Sequence, residues 1–431
     1  MQWLGITEDE GPSVGGSFGP YVQSQRGHLY TDALQRLQQA GRVYPCFCAP
    51  PSAETSEPAQ DDEPRAYEDR ASRCQCRHLT KAQQAEHTAA LGMQPALRIS
   101  VDASVAHVVD DLIRGRVVFP AGEVEDFIIA KAGGDPLYNF VAVVDDAAMQ
   151  ITHVIRGEEH LSNTPKQILL HRALGFEPPQ FAHLPIILNT QRKKLSKRDG
   201  ATAVSDYRAQ GFLPEALRNF FVLLGWSPGE DREIMSIDEC IALFDLARVQ
   251  KHGAVFDPVK LAWMNSEYLR KADIDVLVTA LQNLLAVHPS YTAWRTDRDH
   301  LSAVVGVVRE RVKTLSEIVD LEYFFSPATT LVWDEDAVAK RAGTPQARAY
   351  LAELRSVLAA VPHFEHAPLE AALRAHAAET GVKPGDYIAP LRVAITGVAV
   401  SAGIFELCAV LGREVVLGRI EAFLQTYAKG D

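Results

Sequence analysis

The sequence predicts an α/β fold in the N-terminal half of the chain and an all-helical fold in the C-terminal half. Segments 126–131, 137–145 and 150–155 are apolar runs of strand length, and we expect them to feed the second half of a parallel sheet. Pro165 opens a predicted helix directly after them. Beyond about residue 300 the chain is rich in Ala, Leu and Val, with helical periodicity and no strong strand signal.

The N-terminal region carries further element signals. The spacing of apolar residues predicts a helix over 28–41, and a short apolar run predicts a strand over 43–47. Residues 49–64 are rich in Pro, Ser, Ala and acid, so we interpret them as a mobile insertion, with order resuming near Tyr67. Alternation of apolar and polar residues over 97–119 predicts short strands of an inserted subdomain.

Bulk properties narrow the class of protein. A chain of 431 residues predicts two to four domains, and 47% hydrophobic with 23% charged residues is typical of a globular protein. The net charge of -12 disfavours a nonspecific nucleic-acid-binding protein, although an acidic protein can bind RNA through one positive face. The sequence contains no run of 18 apolar residues, so we predict no membrane span, and its N-terminus resembles neither a signal nor a transit peptide.

A strongly basic segment lies at 192–198, where five of seven residues are Lys or Arg. Charge alone favours a solvated surface run or a nonspecific patch. The order Lys-Leu-Ser-Lys-Arg at 194–198, however, resembles the KMSKS loop of class I aminoacyl-tRNA synthetases, in the form found in the glutamate enzymes. Residues 151–200 resemble the second half of a glutamyl-tRNA synthetase catalytic domain, and the resemblance continues more weakly to the C-terminus.

This resemblance implies the domain organisation. It implies a class I synthetase Rossmann-like catalytic domain that is N-terminally incomplete, an inserted acceptor-binding subdomain, and an all-helical anticodon-binding domain of the bacterial and organellar type. The predicted segments are 1–45 for the remnant of the first catalytic half, 46–136 for the inserted acceptor-end-binding subdomain, 137–205 for the second catalytic half, 206–300 for a helical stem-contact domain and 301–431 for the anticodon-binding domain.

The family reaction assigns roles to the basic loop. A carboxylate attacks the α-phosphate of ATP and pyrophosphate leaves, so positioning and charge neutralisation dominate the catalysis. The resemblance implies ATP and Mg²⁺ as cofactors and places the ATP lysine at Lys197, with Lys194 as the second choice. Ser196 and Arg198 are expected to shape the loop or to add hydrogen bonds. The predicted catalytic residues are Lys197, Lys194 and Ser196.

The amino-acid substrate of the family is a small dicarboxylate. The planar fork of an arginine suits a carboxylate, and Arg156 matches the family position that binds L-glutamate. Tyr138 matches a tyrosine of the same pocket, although a lone tyrosine at the start of a strand more often packs in the core. We expect Arg156 and Tyr138 to lie at the ends of neighbouring strands. Glu159 and His160 are expected to border ATP, although the family usually has Asp at the position of Glu159. An equal alternative for His160 is a structural role in which its ring hydrogen-bonds to the backbone. His183 is interpreted as structural.

Four of the six cysteines lie within residues 46–76 and indicate metal more than a disulfide framework. A Cys-x-Cys pair on a strand sends both thiols to one face. Some members of the family bind structural Zn²⁺ with a Cys-x-Cys and a later Cys-x-His. The preferred ligand set is Cys46, Cys48, Cys76 and His78, with Cys74 as the alternative ligand; absence of metal is the competing interpretation.

The HIGH motif of class I enzymes is not found in the sequence. That motif receives the triphosphate at a helix N-terminus. We therefore expect the chain as written to be poorly stable or inactive in adenylation, and a truncated gene or a cloned fragment to be the simplest explanation. A noncatalytic tRNA-binding homologue is the alternative function.

The remaining predictions concern partners and compartment. The resemblance implies tRNA(Glu) as the acceptor, with the helical C-terminus reading its anticodon, and a monomer. The sequences of residues 19–25 and of the Tyr-Pro-Cys-Phe-Cys stretch at 44–48 resemble those of organellar members of the family. This resemblance favours the mitochondrial matrix as the compartment, with the bacterial cytoplasm as the alternative.

Overall fold

A computed structural model describes residues 1–48, 74–196, 198, 200, 203–229, 231–287, 291, 294–327 and 330–427. The predicted mobile insertion at 49–64 and the return of order near Tyr67 lie outside the described residues. The chain forms two compact units. The first unit comprises Met1–Leu195, Val222–Glu233 and Asp238–Phe256, and the second comprises Ser196–Phe221, Ile234–Ile237 and Asp257–Asp431. Among the described helices, none combines the length and the apolar character required to cross a bilayer.

The described strands all belong to the first unit. They are β1 (Val43–Cys46), β2 (Ala96–Ile99), β3 (His107–Asp111), β4 (Gly115–Phe119), β5 (Phe127–Ala130), β6 (His153–Gly157), β7 (Gln180–Leu184), β8 (Ile187–Leu188) and β9 (Ala254–Val255). One sheet has the order β1-β2-β5, a second has the order β4-β3-β7-β6, and β8 pairs with β9. In the second sheet, β3 and β6 both run parallel to β7, whereas β4 is antiparallel to β3. The carboxyl ends of β3, β7 and β6 therefore lie at one edge, which is the position where open α/β sheets bind ligands.

The described α-helices extend from the N-terminal region to the end of the chain. They are α1 (Gly27–Gln39), α2 (Lys81–Leu91), α3 (Tyr138–Ala148), α4 (Thr164–Leu174), α5 (Val204–Ala209), α6 (Pro214–Leu223), α7 (Ile237–Leu243), α8 (Pro258–Lys271), α9 (Ile274–Leu285), α10 (Arg298–Val308), α11 (Ser316–Val319), α12 (Glu335–Arg341), α13 (Pro345–Ala359), α14 (His366–Thr380), α15 (Pro384–Thr396) and α16 (Ile404–Tyr427). The last helix is interrupted at Gly412, whose φ is 80°. The predicted helical C-terminal region is thus confirmed.

The core of the first unit packs α1, α3 and α4 against strands of both larger sheets. Leu37 on α1, Phe140 and Val143 on α3, and Leu170 on α4 are fully buried in one apolar cluster with Ile129 of β5. Their helical spacing places one apolar face of each helix on the strands. This packing fixes the starts of α3 and α4, which carry polar residues of the candidate site.

Two predictions about the first unit are wrong. Residues 137–145 were expected to form a strand, but they form most of α3, because Phe140, Val141, Val143 and Val144 are buried at the spacing of one helical face. The β-branched valines favour a strand locally, and tertiary packing overrides that preference. Strand β5 was expected in the parallel sheet, yet it pairs antiparallel with β2. The expected strand at 150–155 forms as β6, displaced toward Gly157.

The second unit has its own apolar core built almost entirely from helices. Fully buried residues of this core include Leu281 on α9, Val304 on α10, Leu354 on α13 and Ile420 on α16. Arg419 lies in the same core, wholly buried, and donates hydrogen bonds to the carbonyl oxygens of Ile395, Tyr323 and Ser326 at 2.6, 2.8 and 2.6 Å. These bonds satisfy backbone acceptors at helix ends that would otherwise be buried without donors.

Candidate active site and candidate metal centre

Arg156 lies near the carboxyl end of β6, directly opposite His183 of β7 in the parallel register. The strand ends at Gly157, a 3-10 segment spans Glu158–Asn163, and α4 begins at Thr164. This turn brings the start of α4 back over the guanidinium. The side chain is consequently surrounded by groups from two strands and one helix.

Polar groups without formal charge contact the Arg156 guanidinium. Its Nε donates to His183 Nε2 at 3.2 Å. Its Nη2 donates to Thr164 Oγ1 at 2.9 Å and to Gln167 Oε1 at 2.8 Å, with the carbonyl oxygen of His160 at 3.3 Å. The guanidinium carbon also lies 5.6 Å from the centre of the Phe181 ring. These contacts use Nε and Nη2. Nη1 has only a long contact of 3.5 Å with the Tyr138 hydroxyl and is the nitrogen best placed to meet a ligand.

The charge of Arg156 is not matched by a close carboxylate in the described part of the chain. None of the ion pairs found among those residues includes Arg156. Burial lowers the pKa of Arg156, while the hydroxyl of Tyr138 and the carboxylate of Asp146 oppose that shift. A partly buried cation without an ion-pair partner is a receptor for an anion, and a planar guanidinium matches the geometry of a carboxylate.

Asp146 on α3 carries a perturbed carboxyl group that senses the charge of Arg156 from beyond ion-pair distance. The pKa of Asp146 is raised to about 6, mainly by burial; the charge of Arg156 opposes this shift, and the neighbouring charge of Asp145 adds to it. Asp145 itself accepts hydrogen bonds from Arg26 Nε at 2.6 Å and from the Tyr30 hydroxyl at 3.0 Å. Sequence reasoning missed this pair, although two adjacent acids in an apolar run were a visible signal.

Tyr138 stands beside Arg156, as the sequence predicted, but on a different kind of element. It is the first residue of α3, not the end of a strand, and its side chain is 52% exposed. Its hydroxyl lies 3.5 Å from Arg156 Nη1, and its ring centre lies 5.8 Å from that of His160. An exposed ring at a helix start is available to a ligand, which disfavours the alternative of core packing.

The predicted ATP neighbours follow Arg156 directly in the chain. Glu159 is exposed and His160 is partly buried, with its Nδ1 3.4 Å from Asn163 Nδ2. The preceding residue, Glu158, is held differently: its carboxylate pairs with Arg114 and accepts a hydrogen bond from the Ile186 backbone N–H at 2.9 Å. Glu158 therefore braces the turn, while Glu159 faces solvent.

His183 has more contacts than a structural interpretation anticipated. It is fully buried, and its Nδ1 lies 2.6 Å from Asp111 Oδ2 while its Nε2 faces Arg156. Asp111 is also buried and accepts hydrogen bonds from the backbone N–H groups of Ile113 and Arg114. Sequence reasoning missed Asp111 entirely; nothing in an exposed-looking Asp-Asp pair indicates that the second carboxylate is buried.

The basic loop starts from a short hairpin. Ile187 accepts a hydrogen bond from the Leu195 backbone N–H, Lys194 bridges to Leu188, and Arg192 adopts a left-handed conformation with φ 60°. Lys194 is exposed and belongs to the first unit, whereas Ser196 and Arg198, also exposed, belong to the second. Lys197 lies outside the described residues. The predicted role of this loop stays a prediction.

Four cysteine thiols converge at the end of β1. The Sγ atoms of Cys46, Cys48, Cys74 and Cys76 all lie within 4.8 Å of one another. Cys46 and Cys74 are 3.7 Å apart, Cys48 and Cys74 3.6 Å, and Cys48 and Cys76 3.9 Å. Four ligands around Zn²⁺ with bonds of about 2.3 Å would be separated by about 3.8 Å, so the thiols already have tetrahedral spacing.

The preferred ligand set needs one correction. Cys74, the alternative ligand, belongs to the cluster, and His78 does not. Cys76–His78 forms a 3-10 turn in which Cys76 is buried and His78 is exposed. Two donors support the thiols from outside: the Phe47 backbone N–H contacts Cys76 Sγ and Arg98 Nε contacts Cys46 Sγ, each at 3.3 Å. Such N–H groups orient and stabilise metal-bound thiolates.

Comparison with known proteins identifies the family. Residues 1–263 match the family described as tRNA synthetases class I (E and Q), catalytic domain, and residues 276–424 match the anticodon binding domain family. The chain is 43% identical over 426 residues to a glutamate–tRNA ligase of Moorella thermoacetica, covering 98% of this chain and 85% of the relative. The chain belongs to the glutamate–tRNA ligases.

Other similar proteins agree with this assignment. A glutamate–tRNA ligase of Desulforudis audaxviator is 43% identical over 427 residues, covering 98% of this chain and 84% of the relative. The crystal structure of a glutamate tRNA ligase from Elizabethkingia meningosepticum, in complex with its amino acid, has a TM-score of 0.80 at 29% identity and covers 99% of this chain and 88% of that chain. The predicted class I synthetase fold with an anticodon-binding region is thereby confirmed, and the chain is an enzyme of the class I aminoacyl-tRNA synthetases.

Proposed function

We propose that the chain activates L-glutamate with ATP and transfers it to tRNA(Glu), and that Arg156 binds the side-chain carboxylate of glutamate. The observation that carries this proposal is the Arg156 guanidinium, which neutral groups hold at the carboxyl end of β6 with no carboxylate in ion-pair range among the described residues. A fixed fork that lacks an anion is complementary to a dicarboxylic amino acid. Tyr138, exposed beside Nη1, supplies a wall of the same pocket.

Binding calorimetry with L-glutamate and L-glutamine tests the amino-acid site. Glutamine has the same length and lacks the charge, so we expect the chain to bind glutamate at least tenfold more tightly. Equal affinities for the two amino acids would contradict the proposal. The noncatalytic alternative predicts tRNA affinity without ATP–pyrophosphate exchange, so an exchange assay separates the two functions. The similar proteins named above are all glutamate–tRNA ligases and do not support that alternative.

We further propose that the basic loop neutralises the phosphates of ATP together with Mg²⁺. The support is the loop sequence at 194–198 and the exposure of Lys194, Ser196 and Arg198, which leaves their side chains accessible to a ligand. Lys197 keeps its proposed role as the principal ATP lysine, and Glu159 and His160 keep theirs as neighbours of the nucleotide. Mg²⁺ would supply further neutralisation of the triphosphate. Competition between ATP and a fluorescent ATP analogue, compared for the chain and for Lys197→Ala, tests this assignment: a loss of analogue binding is expected, and unchanged binding would contradict it.

For the metal centre we propose structural Zn²⁺ bound by the four cysteines. The support is the thiol spacing near 3.8 Å and the two N–H donors that face the cluster. Zn²⁺ has no redox activity, and its role would be structural: it would join the end of β1 to the turn at Cys76–His78. The surrounding residues fix the positions of the thiols.

Acceptor, oligomeric state and compartment complete the proposal. The anticodon-binding match at 276–424 supports tRNA(Glu) as the acceptor, and filter binding against an unrelated tRNA tests it. A monomer remains proposed, to be checked by light scattering. The mitochondrial matrix is supported by the organellar style of 19–25, with the bacterial cytoplasm as the alternative, and cell fractionation with an antibody distinguishes them.

A further inference from the structure

Three neighbouring strands place a carboxylate, an imidazole and a guanidinium in one line. Asp111 ends β3, His183 lies in the central strand β7, and Arg156 lies in β6. The contacts are 2.6 Å from Asp111 Oδ2 to His183 Nδ1 and 3.2 Å from His183 Nε2 to Arg156 Nε. Asp111 and His183 are both buried, so neither reaches a ligand directly.

The geometry fixes the protonation state of the imidazole. Arg156 Nε can only donate, so in this 3.2 Å contact His183 Nε2 accepts and carries no proton. The Thr164 hydroxyl lies 3.1 Å from the same nitrogen and is able to donate to it as well. His183 Nδ1 then bears the hydrogen and donates it to Asp111. Burial lowers the pKa of His183, and the charges of Arg156 and Arg114 act in the same direction although Asp111 opposes them. The neutral ring is the form that this arrangement requires.

We propose that His183, held in one tautomer by Asp111, is a positioning residue that orients the Arg156 guanidinium for the carboxylate of glutamate. The inference rests on the proposed function. By accepting from Nε, the imidazole fixes rotation of the guanidinium plane, and Thr164 and Gln167 fix its Nη2 end. Nη1 is thereby turned toward the exposed Tyr138 hydroxyl. Since Asp111 and His183 never contact the substrate, their effect is on the geometry of its receptor.

A buried Asp–His pair could instead serve only to join β3 to β7. The substitutions His183→Gln and His183→Asn separate these roles, because their amide groups take the places of different nitrogens of the imidazole ring. In His183→Gln the amide oxygen reaches the place of Nε2 and can accept from Arg156. In His183→Asn the amide reaches only the place of Nδ1, so the contact with Asp111 is kept and that with Arg156 is lost. Both variants lose the ring stacked 6.3 Å from Phe181, and their thermal midpoints measure how far their packing defects differ.

The measurements are the Kd for L-glutamate by calorimetry and the midpoint of thermal unfolding. At similar midpoints we expect His183→Asn to bind glutamate about tenfold or more weakly than His183→Gln, since a hydrogen bond to a charged group is missing. Equal affinities in the two variants would overturn the role of His183 while leaving glutamate binding by the unmodified chain intact. Failure of the unmodified chain to bind glutamate would overturn the proposed function and this inference with it.

A measurement on the unmodified chain guards against variants that fail to fold. Long-range ¹H–¹⁵N spectra of histidine-labelled protein report which ring nitrogen bears the proton. At neutral pH we expect His183 to be neutral and protonated at Nδ1. A resonance pattern with the proton on Nε2, or on both nitrogens, would overturn the proposal.

Discussion

Arg156 illustrates how a charge can be buried without being neutralised. Hydrogen bonds from Nε and Nη2 to His183, Thr164 and Gln167 replace much of the lost hydration, while the described residues supply no carboxylate within ion-pair distance. Under the proposed function, an anion bound to Arg156 would recover the remaining cost, because attraction between opposite charges is stronger in a partly buried site than in water. The residue is therefore poised for binding more than for stability.

Arg156→Lys tests the need for a planar fork. Lysine keeps the charge but lacks the paired N–H groups, so we expect the Kd for L-glutamate to rise about tenfold to a hundredfold with little change in the thermal midpoint. Calorimetry and thermal unfolding measure the two effects. The matched control is Arg116→Lys, an exposed arginine of β4 in the same sheet. An equally small effect in both variants would contradict the assignment of Arg156.

Asp146 gives a prediction about pH. Its pKa is raised to about 6 in the folded chain, so the folded state holds a proton that the unfolded state has released above about pH 4. Stability contributed by this group thus falls as pH rises from about 4 to 6, and the buried charge is a penalty above that. Asp146→Asn should raise the thermal midpoint at pH 7, by removing a cost of about 1–3 kcal/mol, and the gain should vanish near pH 4.

The control for this prediction is Asp110→Asn, at an exposed position of the same unit. It should shift the midpoint little at any pH. A gain for Asp146→Asn that is constant between pH 4 and 7 would show that burial of the charge is not its cause.

At the scale of elements, local pattern predicted most helices and strands but not their partners. α1, β1 and α4 form close to their expected positions because turn residues and periodicity agree there, although neither helix has a side-chain hydrogen bond at its N-cap. The valine-rich run at 137–145 is compatible with the apolar periodicity of a helix and with that of a strand. It folds as α3 because contacts with α4 and α1 favour the helix. The antiparallel pairing of β5 depends on β2, some thirty residues earlier, and no local signal encodes that choice.

The same limit applies to the metal ligands. The sequence offered five candidates for four places, and the 3-10 turn at Cys76–His78 leaves His78 exposed and outside the cluster of thiols. By contrast, the motif placed Arg156 and Tyr138 in one pocket, and the structure brings the Tyr138 hydroxyl to 3.5 Å from Arg156 Nη1. Their roles in binding glutamate stay predictions. Asp111 was beyond prediction, since its role depends on burial by β7.

Metal analysis tests the corrected ligand set. We expect about one Zn²⁺ per chain by elemental analysis, loss of zinc in Cys74→Ser, and retention of zinc in the matched variant His78→Gln. Removal of zinc with a chelator should lower the thermal midpoint, because binding energy is added to folding energy. Zinc lost from His78→Gln and kept by Cys74→Ser would reverse the assignment.

On the scale of the whole molecule, the described chain divides into an α/β unit and a helical unit. Each has its own apolar cluster. The division was predictable in kind, because strand signals stop where helical periodicity takes over. The order in which the chain passes between the two units was not predictable. Val222–Glu233 and Asp238–Phe256 belong to the first unit, although the preceding segment, Ser196–Phe221, belongs to the second. The five predicted domain boundaries stay predictions.

Arg419 offers a test confined to the helical unit. Arg419→Met fills a similar volume but leaves the carbonyls of Ile395, Tyr323 and Ser326 without donors, so we expect destabilisation of about 3–5 kcal/mol. Scanning calorimetry measures the loss, and glutamate affinity under native conditions should stay unchanged. The control is Arg413→Met, an arginine of the same helix that also contacts carbonyl groups but is only half-buried. Similar losses in both variants would show that burial of the Arg419 bonds is unimportant.

The thiols of Cys48 and Cys74 lie 3.6 Å apart although 25 residues separate them in the sequence. A metal bound to both would act as a cross-link between two distant positions of the chain. Such a clip restricts the unfolded polypeptide much as a disulfide does, and the restriction grows with the separation of the joined residues. Part of the stability that the metal contributes would therefore arise from the unfolded chain and not from any contact visible in the folded one.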